Sequence, residues 1–372
     1  MSRLFSALSF ALFVLFSCLS NAASDTPTVK AVASFSVLAD WVKQVGGEHV
    51  DVLSLVGLDE DVHVYQASPA DLRTVADADV MFVNGLGLEG WLDRLIETSG
   101  FKGRVVVVSD GVAVIDSDSS ADTHGTDEGH HADDHHDSHD EPHHDDADSH
   151  ENHDDHAEHD DHDHHTEHDD HDAHSPHESH DADLTHHKDH DEHDHGSTDP
   201  HAWLSPKMAR VYISNISQTL MSLSTDESFQ RDIKANTAAY LAELNDLNGW
   251  IQQKLQAVPV SQRNIVVPHN AFAYLARDYQ LTFHSLQGNT SESEASAAAF
   301  ASVVRKIRQQ KITSIFGENT GNDKLIKRVA AEANLPLAGF LMSGALSSEL
   351  APTYLDMMRY NASQLLGSMQ AE

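Results

Sequence analysis

The chain has 372 residues, 40% of them hydrophobic, one cysteine and a formal net charge of −37. Residues 116–199 hold 32 acidic residues and one lysine, which leaves only −6 for the rest of the chain. A single cysteine excludes an internal disulfide or a multi-thiolate metal site, and no basic patch points to nucleic-acid binding.

Residues 1–22 have the features of a secretory signal peptide. Arg3 precedes the apolar run at 4–19, and the sequence SNA at 20–22 has the small-x-small pattern of a cleavage site. The run is shorter than the ~20 residues that a membrane-spanning helix needs. We therefore expect a cleaved, soluble, periplasmic protein. Lipidation of Cys18 stays open, although the bulky Phe16 fits a lipoprotein site poorly.

The first half alternates strand-like and helix-like segments. Strands are predicted at 29–35, 50–56, 79–85 and 104–110, and helices at 36–47, 67–78 and near 88–98. The helix at 67–78 opens with Ser68, Pro69 and Asp71, a cap, a first-turn proline and a capping-box acid. Such alternation predicts a parallel sheet that helices cover on both faces.

The second half repeats this pattern. Strands are predicted at 264–269, 312–318 and 336–341, and helices at 270–280, 291–310, 322–334 and 352–369. Between the halves, apolar residues recur at helical spacing across 226–256: Phe229, Ile233, Tyr240, Leu244, Leu247, Ile251 and Leu255. One helix of this length spans roughly 45 Å, enough to cross both lobes as a stiff connection.

These segments predict an α/β fold with two Rossmann-like lobes, each a mainly parallel sheet flanked by helices. We place the N-terminal lobe at 23–225, the linking helix at 226–257 and the C-terminal lobe at 258–372. The segment 116–198 is an insertion in the first lobe. It holds 25 histidines and few large apolar residues, so we expect it to be disordered without metal. Its imidazoles are expected to bind Zn²⁺ at weak, exchangeable sites.

Five histidines lie outside the insertion: His49, His63, His201, His269 and His284. Three of them, His63, His201 and His269, lie near strand ends or helix starts, where ligands of open α/β sheets bind. They are therefore the candidate ligands of a three-nitrogen metal site between the lobes. His49 is interpreted as a turn residue and His284 as a packing or hydrogen-bonding residue.

Several motifs resemble the metal-specific substrate-binding proteins of ABC transporters: HVYQASPADL, DPHAWLSP, PHNAFAYLARDYQL, the long central helix and YLDMMRYN. The acidic, histidine-rich insertion before the second motif resembles the zinc branch, the ZnuA group. The resemblance implies two α/β lobes bridged by a rigid helix, with Zn²⁺ held by His63, His201 and His269. It also implies a membrane permease as partner, and we expect a monomer.

The chain departs from this pattern at one position. Many relatives have an aspartate as fourth ligand where this chain has Gly344, in LMSGALS. Three imidazoles without that carboxylate favour zinc over manganese. Water, Glu318, Asp61 or a histidine of the insertion stay open as the fourth ligand. Glu318 is alternatively expected to orient a ligating imidazole.

The function that follows is capture of periplasmic Zn²⁺ and its delivery to the permease of an ABC importer. The alternative is a periplasmic zinc buffer or sensor that acts mainly through the insertion. Three histidines and a water on Zn²⁺ also form a catalytic arrangement. The chain nevertheless has no HExxH, nucleophile motif or cofactor loop, so we do not expect an enzyme.

Overall fold

The computed structural model describes residues 28–116, 198–291, 295–321 and 323–370. The expected signal peptide, Cys18 and nearly all of the histidine-rich insertion lie outside the described residues. All described residues belong to one compact unit. Among them, no helix is both long enough and apolar enough to cross a membrane.

The first half forms a four-stranded parallel sheet. Its strands are β1 (Val29–Phe35), β2 (Val50–Val56), β3 (Val80–Val83) and β4 (Arg104–Val107), in the order β2-β1-β3-β4. In the register, Val29 lies opposite Val50, and Ala31 lies opposite Val80. The last five residues of β1 are buried without alternation, as expected for a parallel strand covered on both faces.

Four helices belong to this half: α1 (Ser36–Gly46), α2 (Pro69–Ala76), α3 (Leu92–Ser99) and α4 (Pro206–Ser222). Helix α2 begins as its sequence predicts. The Ser68 hydroxyl accepts the Asp71 N–H, and the Asp71 carboxylate accepts the Ser68 N–H. Helix α4 starts in a similar way, because the Ser205 hydroxyl accepts the N–H of Met208. These caps fix where the chain leaves the sheet edge.

One long helix, α5 (Glu227–Gln256), connects the halves. The seven apolar residues of its predicted stripe are all buried. The Asp226 carboxylate caps the helix by accepting the N–H of Phe229 at 2.8 Å. The helix packs against α1 and α4 of the first half and against the closing helix, Tyr354–Gln370, of the second. It therefore bridges the two halves, as predicted.

The second half forms another four-stranded parallel sheet. Its strands are β5 (Asn264–Val267), β6 (Thr282–Ser285), β7 (Ser314–Glu318) and β8 (Gly339–Leu341), in the order β6-β5-β7-β8. Its helices are α6 (Ala273–Tyr279), α7 (Ala297–Gln310), α8 (Lys324–Ala333) and α9 (Tyr354–Gln370). Both sheets have the same arrangement of strands. The predicted fold class, two parallel-sheet α/β lobes joined by a long helix, is confirmed.

Some elements differ from the sequence prediction. Strand β6 was not predicted, because its residues are all only half-buried and lack an apolar run. The helix predicted over 291–310 begins at Ala297, where the Ser296 hydroxyl accepts the N–H of Ala299. The bounds of helix α4 were not predicted. Strands β3, β4 and β8 are shorter than their apolar runs, because only the paired part of each run belongs to the ladder.

Candidate metal centre

His63 lies in a short 3-10 turn, Val62–Val64, that follows β2. The carboxylate of Asp61 caps this turn, and its Oδ1 accepts the backbone N–H of His63 at 2.9 Å. The other oxygen, Oδ2, accepts the hydroxyl of Ser291 from the second lobe at 2.7 Å. The side chain of His63 is half-buried. Asp61 thus stabilises the turn that carries His63 and also connects it to the second lobe.

His201 is fully buried and lies just before the 3-10 turn Ala202–Leu204. Oδ1 of Asp199 accepts its backbone N–H at 2.9 Å and contacts its Nδ1 at 2.8 Å. A carboxylate only accepts hydrogen bonds, so Nδ1 carries the proton. The other ring nitrogen, Nε2, is then left with a lone pair.

His269 follows β5 and Pro268 and is also buried. Its Nδ1 lies 2.6 Å from Oε2 of Glu318, the last residue of the neighbouring strand β7. The same oxygen accepts the hydroxyl of Ser343 at 2.7 Å. The other oxygen accepts the backbone N–H of His269 at 3.3 Å. Because parallel strands β5 and β7 end at one edge of the sheet, the carboxylate meets the imidazole there.

The three candidate histidines converge between the lobes. Each offers one ring nitrogen, and these atoms all lie within 4.8 Å of one another. The Nε2 atoms of His63 and His201 are 3.3 Å apart. The buried Nε2 of His269 has no hydrogen-bond partner among the described residues. Either a proton on one of the two nitrogens or a cation between them satisfies the close pair, and a cation at the centre would also satisfy the Nε2 of His269.

The spacing of the nitrogens fits a small ion. Two nitrogens bound at ~2.0–2.1 Å to a tetrahedral zinc ion are about 3.3 Å apart. The separation between His63 and His201 has that value without any adjustment of the side chains. The three ring centroids lie 5.3 to 5.7 Å from one another, so none of the rings is stacked flat on another. One pair of nitrogens therefore already has the spacing of tetrahedral coordination, and the third nitrogen lies within 4.8 Å of both.

The environment keeps at least one imidazole neutral. Burial lowers the pKa of His63 to about 2, with a further contribution from the neighbouring His201 and His269. At His269, burial favours the neutral form, but the charge and hydrogen bond of Glu318 outweigh it and raise its pKa. Burial likewise opposes the charge of Glu318, but attraction to His269 and three hydrogen bonds lower its pKa. Glu318 is therefore an anion beside the candidate ligand.

Two carboxylates lie directly behind two of the imidazoles. The side chains of Asp199 and Glu318 are 0% and 1% exposed. Buried charges require compensation from opposite charges or hydrogen bonds. A divalent cation held by the Nε2 atoms would supply two positive charges to balance two negative ones. The carboxylates also increase the basicity of the imidazoles that they contact.

Neither carboxylate that was considered as a fourth ligand belongs to this cluster. Both oxygens of Asp61 accept hydrogen bonds, from the His63 N–H and from Ser291. Both oxygens of Glu318 are engaged by His269 and Ser343. At Gly344 an added Cβ would make only ordinary contacts, 3.7 Å from the Thr320 hydroxyl and 4.0 Å from Val62. Space alone therefore does not exclude an aspartate there.

The remaining two described histidines lie elsewhere. Nε2 of His49 is 3.1 Å from the carboxylate of Asp232, in the turn before β2. Nε2 of His284 on β6 is 3.4 Å from the side-chain oxygen of Asn264. Burial lowers the pKa of His284 to about 4, with a contribution from Lys306. Among the described residues, neither belongs to the candidate metal site formed by His63, His201 and His269.

Asp199 was not predicted to belong to the site, although it precedes His201 in the same DPH motif. The signal that could have identified it is an acidic residue two positions before a candidate ligand. Asn84 was also missed. Its side-chain N–H₂ donates to the carbonyl of Pro200 at 3.1 Å, and its oxygen accepts the hydroxyl of Tyr212. It thereby supports the loop that carries His201.

A protein family described as zinc-uptake complex component A, periplasmic (ZnuA), matches residues 31–367 of this chain. The chain belongs to the ZnuA family. Members of this family are metal-binding substrate-binding proteins that act with the permease of an ABC transporter, and they are not enzymes. The expectations of a substrate-binding protein and of no enzymatic activity are therefore confirmed.

Individual relatives within this family are named for different metals. The chain is 26% identical over 347 residues to the manganese-binding lipoprotein MntA of Halalkalibacterium halodurans, covering 93% of this chain and 90% of that one. It is 24% identical over 361 residues to the iron-binding protein YfeA of Yersinia pestis, covering 96% and 92%. The solved periplasmic zinc-binding protein TroA of Treponema pallidum is 20% identical, with a TM-score of 0.66. This last match covers 92% of this chain and 100% of TroA, and it establishes the fold alone.

Proposed function

We propose that this protein is the zinc-binding component of an ABC importer, which captures Zn²⁺ in the periplasm and delivers it to the membrane permease. The observation that carries the proposal is the donor set of the cluster: three imidazoles, with no carboxylate among the described residues that join it. We call this cluster of His63, His201 and His269 the three-histidine site.

The donor set supports zinc over the metals for which several relatives are named. Imidazole nitrogen suits Zn²⁺, whereas Mn²⁺ is bound best by carboxylate, carbonyl and water oxygens. Because residue 344 is glycine, the chain lacks at this position the carboxylate that would suit manganese. The 3.3 Å separation of two ring nitrogens also fits tetrahedral zinc. A water molecule is then the fourth ligand that we favour.

Export and domain organisation form part of the same proposal. Residues 1–22 direct the chain across the inner membrane and are removed, and the mature protein acts as a monomer. Lipidation of Cys18 is the alternative to release, and MntA is named a lipoprotein. The mature chain then comprises the lobes at 23–225 and 258–372 and the linking helix at 226–257.

The histidine-rich insertion has an accessory role in this proposal. Its 25 imidazoles and excess of negative charge attract Zn²⁺ at weak sites and raise its concentration near the lobes. The three-histidine site is ordered before it binds, so it loses less entropy on binding and holds zinc more tightly. Zinc therefore passes from the insertion to the site from which it is delivered.

The first test is a competition titration with zinc and manganese. Asp116 and Thr198 pair as an antiparallel bridge, so residues 117–197 can be replaced by an Asn-Gly turn that closes such a pair. We expect one tight zinc site in both the full chain and this shortened variant, and no displacement of zinc by equimolar manganese. Loss of tight binding with the insertion would instead support the zinc buffer or sensor.

Gly344→Asp provides a positive control for manganese binding. The added carboxylate restores the ligand type found in many relatives, and the backbone position has space for a Cβ. Manganese affinity is expected to rise at least about tenfold, which corresponds to ~1.4 kcal/mol. If the unaltered protein already prefers manganese, the assignment of zinc is wrong and the assignment of the importer class still stands.

Zinc affinity is expected to fall on acidification with a slope of at least one proton and clearly below three. His63, with its pKa lowered to about 2, stays neutral throughout the accessible range. The raised pKa of His269 means that its imidazole takes up a proton first as the pH falls. Affinity is thus constant above that pKa and decreases at least about tenfold per pH unit below it.

The measurement is the zinc dissociation constant of the shortened variant between pH 8 and pH 5.5. A plot of its logarithm against pH with no slope, or with a slope near three, contradicts the electrostatic description of the three-histidine site. The full chain is unsuitable for this purpose, because the insertion adds many imidazoles with an ordinary pKa of ~6.5.

A further inference from the structure

The three histidines are not held equally. His201 and His269 are buried, and each has a buried carboxylate against its Nδ1. Among the described residues, no carboxylate contacts the ring of His63, which is only half-buried. Two ligands are therefore locked in place, whereas the third depends on the turn that carries it.

Residues 59–63 are attached to the second lobe at three points, the first of which is the backbone N–H of Asp59, a donor to the carbonyl of Leu346 at 2.8 Å. Oδ2 of Asp59 accepts the backbone N–H of Ser348 at 3.1 Å and its hydroxyl at 2.8 Å. Two residues further on, Oδ2 of Asp61 accepts the hydroxyl of Ser291 at 2.7 Å. Asp59 has a φ of 60°, a left-handed conformation that aspartate tolerates better than most residues. Both aspartates precede His63 in the chain, and they accept hydrogen bonds from serines in two separate loops.

Two other hydrogen bonds between the lobes are buried. The indole N–H of Trp203 donates to the carbonyl of Ser343 at 2.9 Å, and the hydroxyl of Tyr354 donates to the carbonyl of Trp203 at 2.8 Å. By contrast, the Asp59–Ser348 contact is exposed and the Asp61–Ser291 contact is half-exposed. Exposed hydrogen bonds exchange readily with water and contribute less to stability. The contacts of Asp59 and Asp61 with the two serines are therefore expected to open more readily than these two buried bonds.

The molecule also provides space for His63 to withdraw. A cavity of about 720 Å³ is bordered by His63, Tyr65, Trp91 and Arg94, and by neither of the other two histidines. An imidazole that leaves the three-histidine site can enter this space without displacing the buried core. Full movement of the turn also requires loss of the Asp59 N–H bond to the Leu346 carbonyl and of the buried packing of Val62, so rotation of the His63 side chain after the two serine contacts open is the smaller change.

We propose that the Asp59–Ser348 and Asp61–Ser291 contacts form a latch that positions His63 and sets the rate at which the bound metal dissociates. The proposal builds on the proposed function of the three-histidine site. His201 and His269 receive the ion first, and His63 completes coordination when the latch closes. Dissociation follows the reverse order, with the latch opening as its first step.

The test uses the full chain loaded with Zn²⁺ and mixed rapidly with an excess of a chromophoric chelator. The slow phase of zinc release belongs to the three-histidine site if it is lost in His201→Ala. Ser291→Ala and Ser348→Ala are each expected to speed this phase about threefold, and the double variant about tenfold. The association rate is expected to change less than twofold, because the first two ligands are untouched.

Matched variants separate positioning from general destabilisation. Ser291→Thr and Ser348→Thr keep the hydroxyl and should restore slow release. Ser363→Ala removes a hydroxyl that bonds only the carbonyl of Arg359 in the same lobe, and should leave the slow phase unchanged. Metal-free unfolding temperatures of all these variants are expected to agree within a few degrees.

The outcomes distinguish the latch from the proposed function. A slow phase in the double alanine variant that matches the unaltered protein overturns the latch and leaves the site assignment intact. A slow phase that persists in His201→Ala overturns the site assignment itself. If the single alanine variants release zinc faster but the threonine variants do not restore slow release, the hydroxyl is not responsible. That result also contradicts the latch.

Discussion

Replacing His201 by alanine is expected to weaken zinc binding more than a hundredfold in the variant whose insertion is replaced by Asn-Gly. Structural zinc sites bind with ~10–16 kcal/mol over four ligands, so that one ligand contributes about 3 kcal/mol. A loss of that size exceeds a hundredfold in the dissociation constant. His201 is fully buried and already oriented by Asp199, and among the described residues only His63 and His269 join it in the cluster.

The measurement is a competition titration against a chelator of known affinity. His63→Ala and His269→Ala are expected to show losses of the same order. His284→Ala is the matched control, since His284 contacts Asn264 and lies outside the cluster; its zinc affinity should be unchanged. Zinc affinity unchanged in His201→Ala would mean that His201 is not a ligand of the tight site that remains without the insertion, and the assignment of the three-histidine site would be wrong.

The sequence predicted the elements that carry the site because their signals are local. The apolar runs of β1 and β5 and the Ser68-Pro69 helix start depend only on neighbouring residues, and each appears where it was expected. The position of the candidate ligands at strand ends and helix starts likewise follows from local pattern. The structure then brings together three histidines that are separated by 138 and 68 residues in the chain.

What the sequence did not predict depends on contacts between distant segments. Asp59 meets Ser348 across 289 residues, and Asp61 meets Ser291 across 230. No periodicity or spacing relates such pairs, since they form only after both lobes have packed on the long helix. The pairing of Glu318 with His269 was only partly predicted from the sequence. It follows from two adjacent parallel strands, and the sequence suggested it without deciding between a ligand and an orienting residue.

Removing the charge of Glu318 is expected to weaken zinc binding by about 10–100-fold, although this residue is not expected to touch the metal. In Glu318→Gln the amide oxygen can still accept the Nδ1–H of His269 and orient the ring, although the amide NH₂ cannot accept the longer bond from the His269 backbone N–H. The negative charge that raises the basicity of the imidazole and balances the ion is lost. Asp199→Asn removes the equivalent charge behind His201 and should have an effect of similar size.

Asp40→Asn serves as the control for loss of a buried carboxylate. Asp40 is buried and accepts the N–H of Tyr354 at 2.9 Å, away from the cluster, so its replacement should lower stability without changing zinc affinity. A second measurement distinguishes electrostatics from packing. In metal-free Glu318→Gln, the pKa of His269 followed by NMR should fall, because burial is then opposed only by the attraction of Asp61 and Asp199. A reduced zinc affinity with an unshifted His269 pKa would show that Glu318 acts by shape and not by charge.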